Sequence, residues 1–413
     1  MKLLTPSTAS FLRGKTRAVT PLLLTVAALS MPICALDAFT DGEGEIDDPF
    51  IVTTDDSTLD VVSYYLANSS VAFGSYAKFY VGFSKTDNIL TISGSGTTVS
   101  DNYGYIGYNS TSTGNRVTVT DNATWNNSGY LWVGKSGSGT LTIENGGSVS
   151  APELMINSEG IYGQASTLII ETGGTVLSNL FEIYEKGAAI VTGNSAYCRA
   201  YNLETYGGTL TIENGGSVSD DKADITIGTV KVSGSGSKWT NTHDVQIGDS
   251  GKTGKGSLTI ENGGSVTDDH ATLGTSANGE ATVTGSGSTW TNSGPLYVGY
   301  QYGNGNLTIE NGGTVTNTNG RIGGDDSGSN GVLIVTGPGA LLSNTGAFYL
   351  GTSTGKGNLI VANGALAVIS STITIGNNGS INLSGGSLVV KGKTTAAVAA
   401  AGYNIKFYDG TGW

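Results

Sequence analysis

Along most of the chain, apolar residues come in short alternating runs broken by glycine-rich turns. In "TLTIENGGSVS", from Thr140, Leu141 and Ile143 alternate with threonines, an Asn-Gly-Gly turn follows, and Val149 resumes the alternation. Alternation places neighbouring side chains on opposite faces of a strand, so each run predicts a short strand with one buried face. Past the first forty or so residues no stretch shows the 3.6-residue period of a helix. The same run returns as "TLTIENGGSVS" from Thr209, "SLTIENGGSVT" from Ser257 and "NLTIENGGTVT" from Asn306. Weaker copies begin at Ile89, Thr167 and Asn358. A second run alternates with it: "VTVTDNATWNN" from Val117, "VKVSGSGSKWTN" from Val230, "ATVTGSGSTWTN" from Ala281 and "LIVTGPGALLSN" from Leu333. A third short strand, ending in glycine, follows each of the other two.

These closing glycines, Gly107, Gly134, Gly228, Gly248, Gly274, Gly299, Gly323, Gly351 and Gly376, recur at roughly 25 residues, so the visible repeat of about 50 residues is two units of slightly different sequence. A unit with three strands of three to five residues cannot bury its apolar face alone, but it can when stacked on copies of itself. The expected fold is all-β, a right-handed parallel β-helix with one strand per coil in each of three sheets. Roughly 13 coils at about 4.8 Å would make a rod near 60 Å long. A β-propeller with blades of about 50 residues is the alternative, and the half-period counts against it.

Composition adds glycine and removes some partners. The chain of 413 residues has 65 glycines, roughly twice the ordinary share. Its 20 basic and 33 acidic residues give a net charge of −13 with no basic stripe, which argues against a nucleic-acid partner. Lys2, Arg13, Lys15 and Arg17 precede the apolar stretch "AVTPLLLTVAALSMPICAL", Ala18 to Leu36. That order is an export signal, with cleavage expected after Ala35 or Ala38. Pro21 and Pro32 leave too short an uninterrupted core for a comfortable membrane span. Cutting after Ala35 removes four basic residues and no acidic one, taking the net charge to −17. It also removes Cys34, so Cys198 is left without an internal disulfide partner. The domain reading is a signal at 1–38, a leader or cap at 39–79, β-helix repeats at 80–391 and a C-terminal segment at 392–413.

The set of "LTIENGG.V", "VTGSGS.WTN" and "L.VG" strands closely resembles the repeat shared by type V secretion (autotransporter) passengers and PEP-CTERM-associated proteins of Gram-negative bacteria. The resemblance covers about residues 80 to 391. It implies a pectin-lyase-like or pertactin-like solenoid that is exported and displayed on the bacterial outer-membrane surface or released outside the cell. It also implies passage through the outer-membrane translocation machinery, and surface glycans or proteins of a host or environment as partners. Two features of the family are not found: an outer-membrane barrel after the passenger, and a Val-Pro-Glu-Pro anchor with an apolar helix and basic tail. The sequence ends in "YDGTGW", with Thr411 and Asp409 where a barrel's terminal signal would need apolar residues. The expectation is an anchor that is missing, supplied elsewhere or cut off.

Candidate chemistry is sparse. The apolar residues Val99, Trp125, Val218, Trp239, Val266, Trp290, Val315 and Leu342 set a register, with tryptophans alternating with valines as core residues do. Two residues after each stands Asp101, Asn127, Asp220, Asn241, Asp268, Asn292, Asn317 or Asn344. Asn and Asp bond their own turns and tolerate left-handed backbone, and stacked amides bond along a fibre axis. The row therefore predicts a structural ladder, in which Asn292→Leu costs on the order of 1 kcal/mol. His243 and His270 follow the register by four residues, which would place them one strand spacing apart beside Asp244 and Asp269. Such a pair could ligate a divalent metal or serve as acid and base, or it could be a polar turn. Glu144, Glu213, Glu261 and Glu310 form a row, each about two coils from the next, which does not make the opposed carboxyl pair a glycosidase needs. "GGDDSGSNG" from Gly323 has the composition of a calcium loop without its alternating ligands. The spacing breaks between Val149 and Leu210, where Tyr184, Glu185, Lys186, Tyr197, Cys198, Arg199 and Tyr201 gather; a ligand contact, if there is one, is expected there, and the alternative is a simple insertion in a degenerate coil.

The sequence thus reads as an exported structural or adhesive passenger, not an enzyme, with no catalytic, cofactor-binding or metal residue assigned and no cofactor expected. The alternative is a polysaccharide lyase or hydrolase of the pectin-lyase-like kind. Against it, Arg116, Arg199 and Arg321 lie too far apart in register to meet, and fold alone is no evidence of activity.

Overall fold

The computed structural model describes residues 78–391 apart from 159–163, 249–253 and 327, together with the backbone of short strands nearer the two ends. Apart from the backbone of those short strands, the signal segment expected at 1–38, the leader or cap expected at 39–79 as far as residue 77, and the C-terminal segment at 392–413 lie outside the described residues.

One coil shows how the sequence is used. Its sheet A strand is Lys255–Glu261, with Leu258 and Ile260 buried. Asn262 and Gly263 then take positive φ, 53° and 86°, and the Gly264 N–H donates to the Glu261 carbonyl at 3.0 Å. These are the angles of a type I′ turn, which Asn-Gly adopts with little strain. The same pair turns the chain at Asn145-Gly146, Asn214-Gly215, Asn311-Gly312 and Asn363-Gly364. Sheet B takes Ser265–Asp268 and, after Asp269 alone at the corner, sheet C takes His270–Leu273. Gly274 closes the coil with φ 72°. The next sheet A strand, Asn278–Thr284, then lies parallel on the first, with Leu258 beside Ala281 and Ile260 beside Val283. Repetition gives an all-β, parallel β-solenoid of about 12 turns with coils of about 25 residues, and the described residues contain no helix. Every pairing between named strands is parallel, as the expected β-helix requires and a propeller's antiparallel blades do not.

The stack also runs toward the N-terminus. There the backbone of Thr58–Val61 pairs with Lys78–Val81, and that of Ser63–Ala67 pairs with Ile89–Ser93.

The core is one continuous cluster filled from all three sheets. On sheet B the inward row runs Val99, Trp125, Val149, Val176, Cys198 and Val218. It continues through Trp239, Val266, Trp290, Val315, Leu342 and Ala367. The expected register residues all fall on it, and the three tryptophans are fully buried. Bulk on one coil is matched by space on a neighbour: a Cβ at Gly104 would stand 2.5 Å from the Asn127 Oδ1 and 3.0 Å from the Trp125 Cζ2. Native packing density leaves no room for both.

The irregular stretch between Val149 and Leu210 keeps the stack. Val176, Cys198 and Val218 are successive register partners. The spacing shortens because the connection from sheet C back to sheet A shrinks to Glu185–Lys186 and then vanishes, with Asn202–Glu213 running as one strand. The stretch is a pair of tight coils, not an insertion.

Candidate functional site

The Asn/Asp row lies at the corner between sheets B and C and points inward. Its eight members are between 0% and 5% exposed, and none has the left-handed backbone that the sequence suggested. Their partners follow a rule that the residue types alone did not state. The Trp125 indole N–H donates to Asp101 Oδ2 at 2.7 Å, Trp239 to Asp220 and Trp290 to Asp268, both at 2.5 Å. Each aspartate stands on the coil before a tryptophan; coils without a following tryptophan carry asparagine or another residue. The Asp220 Oδ1 also accepts from the Asn241 Nδ2, and Asn317 donates to the Asn344 Oδ1 at 2.6 Å. The ladder is not continuous, however. Neither side-chain polar atom of Asn127 or Asn292 has a partner, nor does the second oxygen of Asp101 or Asp268. Burial pushes Asp101 up to about 8, and Asp220 and Asp268 up to about 7, against the lowering effect of the indole bonds.

The histidines do not stack on one another. In the Trp239 coil two residues, Thr242 and His243, span the corner between sheets B and C; in the next coil Asp269 alone does. His270 is therefore the register partner of Asp244. Its Nδ1 lies 3.2 Å from the Asp244 Oδ1, while the His243 Nδ1 meets Asp221 on the preceding coil. Each imidazole faces a carboxylate, and among the described residues no three His, Cys, Asp or Glu side chains group as metal ligands.

The repeated glutamates stand where the spacing puts them. Glu213, Glu261 and Glu310 share one outward row of sheet A with Ser233 and Thr284 between them. Lys231, 2.8 Å from Glu261, holds its carboxyl below the usual range. In the Gly323 loop, Asp325 pairs with Arg321 and the Asp326 carbonyl accepts from Ser329, which uses the loop's oxygens locally.

Two features of sheet C were not anticipated. Tyr80, Tyr105 and Trp132 stack along the axis at 4.7 Å, with planes 12° and 3° apart, and Tyr103 stacks on Tyr130 at 5.6 Å. The rings cover one another's faces, so this is a packing ladder and not a platform for a sugar. Farther along, Glu182, Glu204 and Asp224 are register partners on successive coils. Each accepts from a hydroxyl two residues on: Tyr184 at 3.0 Å, Tyr206, and Thr226 at 3.1 Å. Burial, with Glu204 and Glu153 nearby, raises Glu182. The sequence signal for both rows is recurrence at the coil spacing, which single aromatic or acidic residues hide.

The residues gathered in the irregular stretch are dispersed. Cys198 is wholly buried in the core, its thiol pushed up to about 12. The Tyr197 hydroxyl bonds Ser219 at 2.7 Å, Lys186 sits in a turn with φ 62°, and Tyr184 lies on sheet C. Arg199 and Tyr201 alone of this group line a groove of about 670 Å³ along the corner between sheets B and C. Arg116, Arg199 and Arg321 belong to sheets A, B and C respectively, and so never converge.

No protein-family model matches the chain, and no curated protein matches it. Among solved structures, a TibC-catalysed, hyper-glycosylated TibA fragment aligns with a TM-score of 0.41 at 18% identity, over 80% of this chain and 97% of that one.

The repeated glutamates form one outward row and the buried aspartates an inward one, with Glu261 paired to Lys231 and each of Asp101, Asp220 and Asp268 accepting an indole N–H. General acid–base chemistry needs different groups converging on one point.

Proposed function

We propose that the chain is an exported β-helical rod that acts by presenting its outer surface, as an adhesive or display passenger, and carries out no reaction. One observation carries the reading: the positions that recur on every coil face inward or form turns, whereas outward positions change between neighbouring coils, as where Ser233 and Thr284 stand between Glu213, Glu261 and Glu310. The recurring leucine, isoleucine, valine and tryptophan positions are buried, and the recurring Asn-Gly pairs set the turns. A rod built this way spends its repeat on stacking and leaves its surface free to vary. The partners it suits are surface glycans or proteins of a host or environment, met after export through the outer membrane.

The competing reading is a polysaccharide lyase or hydrolase. The test is to incubate the chain lacking residues 1–38 with plant, algal and bacterial polysaccharides, following reducing ends and unsaturated products. Retention of particles coated with the chain on the same polysaccharides is measured in parallel. Retention without product formation is expected. Sustained turnover, lost on the in-register deletion of residues 180–201 while the circular dichroism of a β fold persists, overturns the proposal.

A further inference from the structure

The corner between sheets B and C is not uniform. Where most coils put Asn or Asp at the buried ladder position, three consecutive coils put Ala151, Ser178 and Ala200. At those same coils, and at that of Asp220, a single residue spans the corner: Pro152, Asn179, Tyr201 or Asp221. On either side the corner widens to two residues, Ser128–Gly129 at one end and Thr242–His243 at the other, and the sheet register shifts at both places. Small ladder residues and tight corners, bounded by wide ones, make the groove of about 670 Å³. Four coils at about 4.8 Å give it a length on the order of 15–20 Å.

Its chemistry differs from the rest of the surface. Arg199 is exposed and has no ion-pair partner among the described residues. Tyr201, on the same coil, is 58% exposed, and with Thr242 and His243 it helps to hold the Asp221 carboxyl below the usual range. Asp221 is also held by Thr242 at 2.6 Å and by His243 at one end of the groove, and among the described residues it forms no ion pair with Arg199. Leu177, 43% exposed, and Asn179 complete the wall. The floor is made of fully paired parallel strands, with no free sheet edge for an extended peptide to join.

We infer that this groove binds an extended carboxylated oligosaccharide, its carboxylate on the Arg199 guanidinium and a sugar ring against Tyr201. A guanidinium takes a carboxylate through two parallel hydrogen bonds. An exposed aromatic ring offers an apolar face against which a sugar ring packs. The inference rests on the adhesive reading above and gives it a site and a ligand class.

Titration calorimetry of the chain lacking residues 1–38 against uronate oligomers, and against the same oligomers after carboxyl reduction, tests it. Saturable binding to the uronates is expected, weakened at least about tenfold by carboxyl reduction or by Arg199→Gln. Tyr201→Ala should weaken it comparably, while Tyr349→Ala, on sheet C away from the groove, leaves it unchanged. Circular dichroism confirms that these surface variants fold. Equal binding of reduced and unreduced oligomers, equal binding by the Arg199 and Tyr201 variants, or no uronate binding at all overturns the assignment. So does an acidic peptide that binds as tightly and loses affinity in the same two variants. If coated particles still adhere to polysaccharide in any of these cases, only the groove fails; if they do not adhere at all, the adhesive reading fails with it.

Discussion

Asp101, Asp220 and Asp268 tie the stability of the stack to pH, because each is a buried carboxyl that accepts an indole N–H from the next coil. Unfolded, such groups titrate near 4. Folded, burial holds their protons to about 7 for Asp220 and Asp268 and to about 8 for Asp101. Between those limits the folded chain keeps protons that the unfolded chain has released. Their contribution is therefore complete below about pH 4 and is lost as pH rises through about 7 to 8. The slope approaches about 1.4 kcal/mol per pH unit for each group. The urea midpoint should be higher at pH 5 than at pH 8, the reverse of a fold held by salt-bridged carboxylates. Asp268→Asn, which still accepts from Trp290 but cannot ionise beside Asp269, Asp220 and Asp244, should remove one group's share of the fall. A midpoint flat from pH 5 to 8 would refute the assignment. The same row corrects the expectation for Asn292. Its amide has no partner, so Asn292→Leu should be nearly neutral, whereas Asn241→Leu leaves the Asp220 Oδ1 unpaired and should cost about 1–3 kcal/mol. Equal shifts in the urea midpoint for the two variants would contradict this.

Strands and turns are the part of the molecule most legible in the sequence. Alternation within "SLTIENGG" gave the buried face, and Asn-Gly required a turn with two positive φ values, as Asn262 and Gly263 have. A specific consequence can be measured. Asn262→Ala forces an ordinary residue into left-handed backbone and should cost about 1–2 kcal/mol, while Asn262→Gly should change the urea midpoint little. If both behave alike, the turn is not set by backbone strain. The outer faces were much less legible. Periodicity reports which residues are inside, and says nothing of how many residues span each corner. One extra residue, His243, moved the histidines out of register and set each against an aspartate instead. Shortened coils hid Cys198 among residues that read as an irregular patch, when it is an ordinary member of the core row. The groove has the same origin: Ala151, Ser178 and Ala200 look like degenerate repeats until the register shows that they are consecutive.

The whole molecule is a one-dimensional stack in which each coil touches only its neighbours, so its stability is close to a sum over coils and the contacts between them. Such a molecule should survive the loss of a unit, provided that register is kept. Asn304 pairs with Asn330, and Gly305 with Gly331. Deleting residues 305–330 joins Asn304 to Gly331 and so replaces one strand of each sheet by its own register partner. The deletion removes the Val315 coil and brings Trp290 next to Leu342, and Asn292 next to Asn344, in a row that already accepts such neighbours. All three indole–carboxylate pairs remain, because Trp125, Trp239 and Trp290 and their aspartates lie outside the deleted segment. The shortened chain should keep its β circular dichroism per residue and unfold cooperatively in urea, with its midpoint lowered and its pH dependence intact. Deleting only residues 305–317 removes the strands of sheets A and B but leaves the sheet C strand Asn319–Ile322, so the chain after the junction no longer meets its partners. That variant should aggregate or unfold without a cooperative transition. If the half-coil deletion folds as well as the full-coil one, stacking in register is not what holds the rod together.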